Sequence, residues 1–285
     1  MEKVHLARVG TTMEAARAWV DALYDKSGEC AIGGSKGAII YADVQDQGRG
    51  SKGRQWESST AGNVYVTYAI PLQTIALDKF TLLPAIIALS VCKALSPYLR
   101  GSQHSLRVKW PNDVLDERGR KISGSIVETH REFILIGIGI NIVNVVTSAP
   151  SFSVPSSSSL SSPLMSSFPF MEGGGRVPCS LKDLVADGTV SLPSVEEVVD
   201  RMYEECLKVY VGMVGNDVEC GERERNGEEI LREWSGYVDW SAPVVLREDP
   251  QRVKWIPLRV TKEGFLRIKH PETGVEKTLI DSYLN

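Results

Sequence analysis

Residues 37–44 read GAIIYADV, residues 48–56 read GRGSKGRQW, and residues 64–70 read VYVTYAI. Two β-branched and aromatic runs flank a glycine-dense basic loop, so the stretch predicts strand, loop, strand. A loop held between two strands of one sheet is a natural place for a binding site. The three glycines Gly48, Gly50 and Gly53 let backbone approach a ligand closely, while Arg49, Lys52 and Arg54 supply donors for phosphate or carboxylate oxygens. The pattern departs from GxxxxGK[ST] and is followed by a strand, which argues against a P-loop nucleotidase.

Upstream, Val4–Val9 is a short apolar run. Gly10-Thr11-Thr12 follows, and then Met13, Ala16, Trp19, Val20 and Leu23 recur at helical spacing. Strand, loop and helix are predicted. Downstream, Phe80, Leu83, Ile87, Val91 and Leu95 follow Asp78, a candidate N-cap, and define a long amphipathic helix. From Leu106 to Asn141 the pattern returns to strands, with a turn at Glu117-Arg118-Gly119 and a nearly unbroken apolar run, Phe133–Ile142, expected at the centre of the sheet.

Thr147–Phe170 is dominated by Ser and Pro, without a charged residue, and Gly173-Gly174-Gly175 follows. Residues 146–193 are therefore expected to form a disordered surface insertion, since they cannot bury enough apolar area to offset the entropy of ordering. Ser194 with Glu197 predicts a capped helix running toward Val211, and a second helix should end near Trp234. Beyond Gly236 short strands are expected at residues 244–246, 253–260, 265–269 and 276–280, with turns at Glu263-Gly264 and Glu272-Thr273-Gly274. The domain reading is residues 1–235 for the main domain and 236–285 for a small barrel-like appendage.

The chain of 285 residues has 42% hydrophobic and 24% charged residues, which fits a folded domain rather than a disordered or membrane protein. Its net charge of −4 argues against a large nonspecific nucleic-acid surface. Five scattered cysteines without CxxC spacing predict neither a disulfide framework nor a zinc knuckle. The four histidines show no metal-ligand spacing, so no protein-built metal site is expected. With no signal or transit pattern at the N-terminus, a cytoplasmic location is expected.

Three further clusters carry chemistry: KWPND (Lys109–Asp113), KISGSIVE (Lys121–Glu128) and GIGIN (Gly137–Asn141). Taken in order with Gly10-Thr11-Thr12, Gln45 and GRGSKGRQW, they resemble the biotin protein ligases, also called holocarboxylase synthetases. The resemblance covers the chain to about Asn144 and, more loosely, its C-terminal segment. It implies a mixed α/β (α+β) fold with flanking helices of the class II aminoacyl-tRNA synthetase type, plus a small C-terminal SH3-like β-barrel. It also implies an enzyme that joins biotin to ATP as biotinyl-5′-AMP with magnesium, then passes the biotinyl group to a lysine of a carboxylase's biotin carboxyl carrier domain. One branch of that family carries an N-terminal DNA-binding domain. Here the first motif begins at Gly10, so no nucleic-acid partner is expected, and neither is a membrane; the oligomer is expected to be a monomer or a homodimer.

By the same resemblance Lys121, Arg49 and Arg54 are the expected catalytic cations. Thr11, Thr12, Gln45, Gly48, Arg49, Gly50, Ser51, Lys121, Gly137 and Gly139 are expected at biotin, and Arg49, Lys52, Arg54, Trp56, Asn112, Lys121 and Asn141 at ATP. Trp56 suits either stacking on the adenine or anchoring the loop to the sheet. Asn112 and Asp113 suit either magnesium-phosphate contacts, with Asp113 the metal candidate, or a purely architectural turn. The alternatives are a lipoate-protein ligase, whose RRxSGGG-type loop GRGSKGR does not match, and a noncatalytic binding relative. The chain departs from the family's usual pattern at Met13, often Asn, and at Ser51, often Arg. One charge-assisted hydrogen bond contributes about 1.5–3 kcal/mol, so Ser51→Arg is expected to slow release of trapped biotinyl-AMP; an unchanged off-rate refutes this.

Overall fold

The computed structural model describes residues 1–25, 37–50, 53–75, 77–100, 102–143, 177–185, 190–207, 226–246 and 249–280. Ser51 and Lys52 lie outside the described residues, as does the Ser/Pro-rich run through residue 176.

The main sheet contains β1 (Glu2–Val9), β2 (Ala38–Gln45), β3 (Val64–Pro71), β4 (Leu106–Lys109), β5 (Asp113–Asp116), β6 (Lys121–His130) and β7 (Phe133–Ile140). Their order across it is β1-β2-β3-β7-β6-β5-β4, which puts the apolar run 133–140 at the centre as expected. Among the described strands of this sheet β1 and β2 pair in parallel, because α1 (Thr12–Asp25) returns the chain between them; the other strand pairs are antiparallel.

Strand alternation divides the core into two layers. Val64, Val66, Tyr68 and Ile70 of β3 and Ile134, Ile136, Ile138 and Ile140 of β7 face α2 (Leu83–Leu95), α3 (Val195–Arg201) and α4 (Gly227–Ser235). On the opposite face α1 packs Met13, Ala16 and Val20 against Ala38, Ile40, Ala69, Phe133 and Leu135. Residues 79–99 are apolar enough, by length and composition, to cross a bilayer. Here every residue of α2 except Lys93 is buried inside the protein, and Lys93 pairs with Glu233 of α4 at 2.5 Å, so this is a core helix.

The helix predicted from Ser194 begins there: the Ser194 hydroxyl accepts the Glu197 N–H at 3.1 Å. α3 continues as a wider turn over Met202–Leu207. Residues 208–211, where the helix was expected to end, lie outside the described residues. α4 is capped by Asn226 and ends at Ser235, beside the expected Trp234.

The expectation of disorder across 146–193 is corrected over its last part. Residues 177–185 dock on the main sheet, where Lys121 N–H donates to Val177 O and Cys179 N–H to Lys121 O, both at 2.8 Å. Cys179, Leu181 and Leu184 are fully buried. Composition missed this because three apolar anchors and a backbone ladder suffice to hold a short segment, whatever precedes it.

The C-terminal appendage is a four-stranded antiparallel sheet of β8 (Val244–Val245), β9 (Lys254–Val260), β10 (Leu266–Lys269) and β11 (Glu276–Leu279), ordered β11-β10-β9-β8. Among the described residues no ladder joins β8 to β11, so the sheet expected there is present and its closure into a barrel is not seen among them. Its own small core is Trp255, Leu266 and Ile268.

Candidate active site

The site lies on the α1 face of the main sheet, beyond the end of that helix. Register across the sheet aligns Ala42, Tyr65, Gly139 and Gly124 in one row, and Ile40, Thr67, Gly137 and Ile126 in the next. Alternation places both rows on the same face. Glycine at three of the eight positions leaves a shallow floor, and Gly139 is the residue of β7 that keeps partial exposure.

One wall is polar. Thr11 immediately precedes α1, its hydroxyl accepting the Glu14 N–H at 3.0 Å. Gln45 Oε1 accepts from the Thr12 N–H at 2.9 Å and from the Thr12 hydroxyl at 3.2 Å, while the Thr67 hydroxyl donates to Thr12 Oγ1 at 2.9 Å. All four side chains are buried. With its oxygen so engaged, the Gln45 amide group is left to act as a donor. Thr67 was missed in the sequence; its signal was a hydroxyl in the middle of an otherwise apolar and aromatic strand.

The described arms of the basic loop, residues 48–50 and 53–56, pair as a hairpin beside this floor. Arg49 bridges Gln55, Gly50 N–H donates to Arg54 O at 2.8 Å, and Trp56 N–H donates to Gly48 O at 2.9 Å. The hairpin lays the Trp56 indole directly on the glycine row. A Cβ on Gly139 would stand 2.5 Å from the ring, and one on Gly124 would stand 3.4 Å away. Trp56 Nε1 is buried there without a hydrogen-bond partner. Arg49 and Arg54 are exposed at the rim. Burial and the neighbouring Arg49 push the Arg17 pKa down, with Glu14 opposing, which locates Arg49 near α1. Arg17 itself pairs with Glu128.

Lys121 reaches this face through a bulge. Val114 pairs with Ser123 but Leu115 pairs with Lys121, so Ile122 is an extra residue on β6. Ile122 and Ser123 are both buried, Ile122 in the α2-side core, while Lys121 is turned to the opposite face. There its Nζ lies 5.4 Å from the centre of the Trp56 ring and would be 2.7 Å from a Cβ on Gly124. Strict alternation from Ser123 would have put this lysine in the wrong layer.

Lys121 Nζ donates to Asp113 Oδ1 at 2.5 Å, and Lys109 lies 4.0 Å from the other carboxylate oxygen. Burial alone would raise the Asp113 pKa, but Lys121, Lys109 and Arg54 outweigh it and hold the carboxyl below its ordinary 3.8. A depressed carboxylate stabilises the fold above the unfolded value, and that contribution is lost as pH falls through the folded one. Asp113→Asn is therefore expected to cost about 1.5–3 kcal/mol near neutrality. Unfolding curves of the two proteins should converge only below pH 3.8; convergence already at pH 6 contradicts the pairing.

Asn112 and Asn141 are committed to backbone. Asn112 Nδ2 donates to Ser125 O at 2.6 Å, pinning the KWPND turn to β6. Asn141 Nδ2 donates to Cys179 O at 3.1 Å and so holds residues 177–185 in place. Gly137 is covered by Met13, whose sulfur would lie 2.8 Å from a Cβ there. The structure thus gathers Thr11, Thr12, Gln45, Gly48, Trp56, Lys121, Gly137 and Gly139 around one face. It places Asn112 and Asn141 beside that face as supports. Among the described residues no three His, Cys, Asp or Glu side chains converge as a metal site.

Residues 33–142 match the biotin/lipoate A/B protein ligase family. That segment is what the chain shares with this family. A biotin–[acetyl-CoA-carboxylase] ligase of Mycobacterium tuberculosis is 29% identical over 124 residues, 44% of this chain and 45% of that protein. The chain therefore spans about half the length of that curated relative. The solved biotin protein ligase of Leishmania major, in complex with biotin, superposes with a TM-score of 0.62 at 22% identity over 98% of both chains. That of Aquifex aeolicus, in complex with biotin and ATP, gives 0.64 at 20% identity over 99% of this chain and 97% of the other. These two share the whole fold with this chain, the C-terminal sheet included. Within the matched segment lie Gln45, the basic loop, KWPND, Lys121 and the glycine row, whereas Thr11 and Thr12 are brought to it at the start of α1.

Proposed function

We propose that the protein is a biotin protein ligase that forms biotinyl-5′-AMP from biotin and ATP and transfers the biotinyl group to a lysine of a carboxylase's biotin carboxyl carrier domain. The observation that carries this reading is the meeting of three features on one glycine-floored face: a buried polar wall, an amine, and a hairpin bearing arginines. The carrier domain as acceptor, magnesium as a requirement and a cytoplasmic location belong to this proposal.

In the first step a carboxylate oxygen of biotin attacks the α-phosphorus of ATP, a new P–O bond forms, and the bond to the β-phosphate breaks to release pyrophosphate. Both reactants are anionic, so the residues must offset repulsion and stabilise charge in the transition state. Lys121, already fixed by Asp113, supplies a localised cation, and Arg49 and Arg54 supply bidentate donors from the rim. Ser51 and Lys52 belong to the same loop by sequence. In the second step the acceptor amine attacks the acyl carbon, AMP departs, and the amine's proton is released.

The Thr12–Thr67–Gln45 chain suits a small polar ring that both donates and accepts, as the ureido group of biotin does. Trp56 offers an indole face beside the amine, suited to a purine, with an unpartnered Nε1 that a ligand could engage. Closure of the hairpin over the adenylate would keep water from the mixed anhydride. Asp113 is a single carboxylate, so the donor set fits a magnesium ion carried mainly by phosphate oxygens rather than caged by protein. When bound, that ion would neutralise phosphate charge.

Incubation with biotin, Mg-ATP and a carrier domain should give an avidin-reactive acceptor, and no labelling of a competent acceptor overturns the proposal. Biotin-dependent ATP–pyrophosphate exchange without response to lipoate separates it from a lipoate ligase. An absence of all exchange with retained biotin binding would favour the noncatalytic relative.

A further inference from the structure

The β4–β5 hairpin lies at the edge of the main sheet, with β4 outermost. Its tip, Lys109-Trp110-Pro111-Asn112-Asp113, carries the carboxylate that holds Lys121. An edge hairpin has a neighbouring strand on one side only, so its tip is located by whatever else touches it. Besides the Lys121–Asp113 bond, two hydrogen bonds contribute to this. Asn112 ties the tip inward to Ser125 O, and Trp110 Nε1 donates to Gly264 O at 3.0 Å, across to the turn between β9 and β10 of the C-terminal sheet.

That turn is itself held firmly. Gly264 has φ +85°, a conformation side-chain-bearing residues rarely adopt, and its N–H donates to Thr261 O at 2.9 Å. A Cβ at Gly264 would lie 3.0 Å from Thr81 O and 3.2 Å from Leu82, just ahead of α2. Trp110 packs against both the main core and the small core of the C-terminal sheet. Behind it, Val108 N–H donates to Tyr237 O at 2.9 Å, and Arg107 pairs with Asp239 at 2.7 Å, anchoring β4 to the segment that leads into that sheet.

We propose that the β9–β10 turn is a positioning element of the active site, holding the Trp110 indole so that Asp113 keeps the Lys121 amine aimed at the glycine row. The inference rests on the ligase reading above. Trp110 and Gly264 touch no reacting atom; they act through Asp113.

The test uses the full chain. Trp110→Phe removes the N–H and keeps a ring in place. The maximal rate of biotin-dependent ATP–pyrophosphate exchange should fall roughly three- to tenfold, the worth of one hydrogen bond, while the KM for biotin stays unchanged. In an Asp113→Asn background, Trp110→Phe should cause no further loss, because its effect runs through the carboxylate. Gly264→Ala should reproduce the same rate loss; if it fails to fold, Trp110→Phe still decides. A Trp110→Phe rate within twofold of the parent overturns the proposal. So does a loss that adds in full to that of Asp113→Asn. Absence of exchange in the parent itself overturns the ligase reading, and this inference with it, which keeps the two failures distinct.

Discussion

Lys121→Ala is expected to lower the rate of adenylate formation by about 10²–10³-fold, the range seen when one preorganised charge-stabilising donor is removed. The amine is on the site face, 2.5 Å from Asp113 and beside Trp56, whereas Lys109 lies 4.0 Å from the same carboxylate. The deletion has a second signature. Burial already pushes Asp113 upward, and losing its foremost cation should raise its pKa from the depressed value. Lys121→Arg should restore little activity, because the space beside Gly124 is filled by the lysine's own terminal atoms and a planar guanidinium needs more room. Single-turnover formation of biotinyl-AMP measures the step directly. A Lys121→Ala rate within threefold of the parent would remove this residue from the mechanism.

The second large effect is expected at Gly139. Its backbone pairs with Tyr65 on one side and Gly124 on the other, in the middle of a sheet whose register cannot shift locally. An added methyl group would come within 2.6 Å of Trp56 Nε1, so the indole has to move. Inserting one methyl into a packed contact costs about 1–3 kcal/mol, and here the displaced group is the ring proposed for the nucleotide. Gly139→Ala should raise the KM for ATP roughly tenfold or more while leaving the polar wall at Thr12 and Gln45 intact, so biotin binding should change little. Calorimetric titration of each ligand separates the two. Equal losses for biotin and ATP would mean that Trp56 does not divide the site in this way.

Much of this architecture was legible in sequence because it follows local periodicity. The runs 64–70 and 133–142 read as buried strands, and the spacing from Met13 to Leu23 as an amphipathic helix, close to the strands Val64–Pro71 and Phe133–Ile140 and the helix Thr12–Asp25. The residue types of the basic glycine loop suggested donors for an anion, as they would equally suit a basic surface turn. The individual duties of Asn112, Asn141 and Trp56 were not legible. Each side chain suits a ligand as well as it suits a backbone carbonyl or a glycine floor, and the choice depends on which strand lies alongside. Residues 177–185 misled for a related reason: their anchoring partners, Lys121 and Asn141, are far away in the chain.

The sequence by itself determined the strands and helices, the basic loop and the set of candidate polar residues, since these depend on interactions between neighbours in the chain. Only the tertiary structure decided which face each residue serves. The extra residue at Ile122 turns Lys121 onto the α1-side face, the register of β3, β7 and β6 aligns Thr67, Gly137, Gly139 and Gly124, and the C-terminal turn reaches Trp110. A strand reverses its faces with a one-residue slip, and whether a slip occurs is settled by packing against partners distant in sequence.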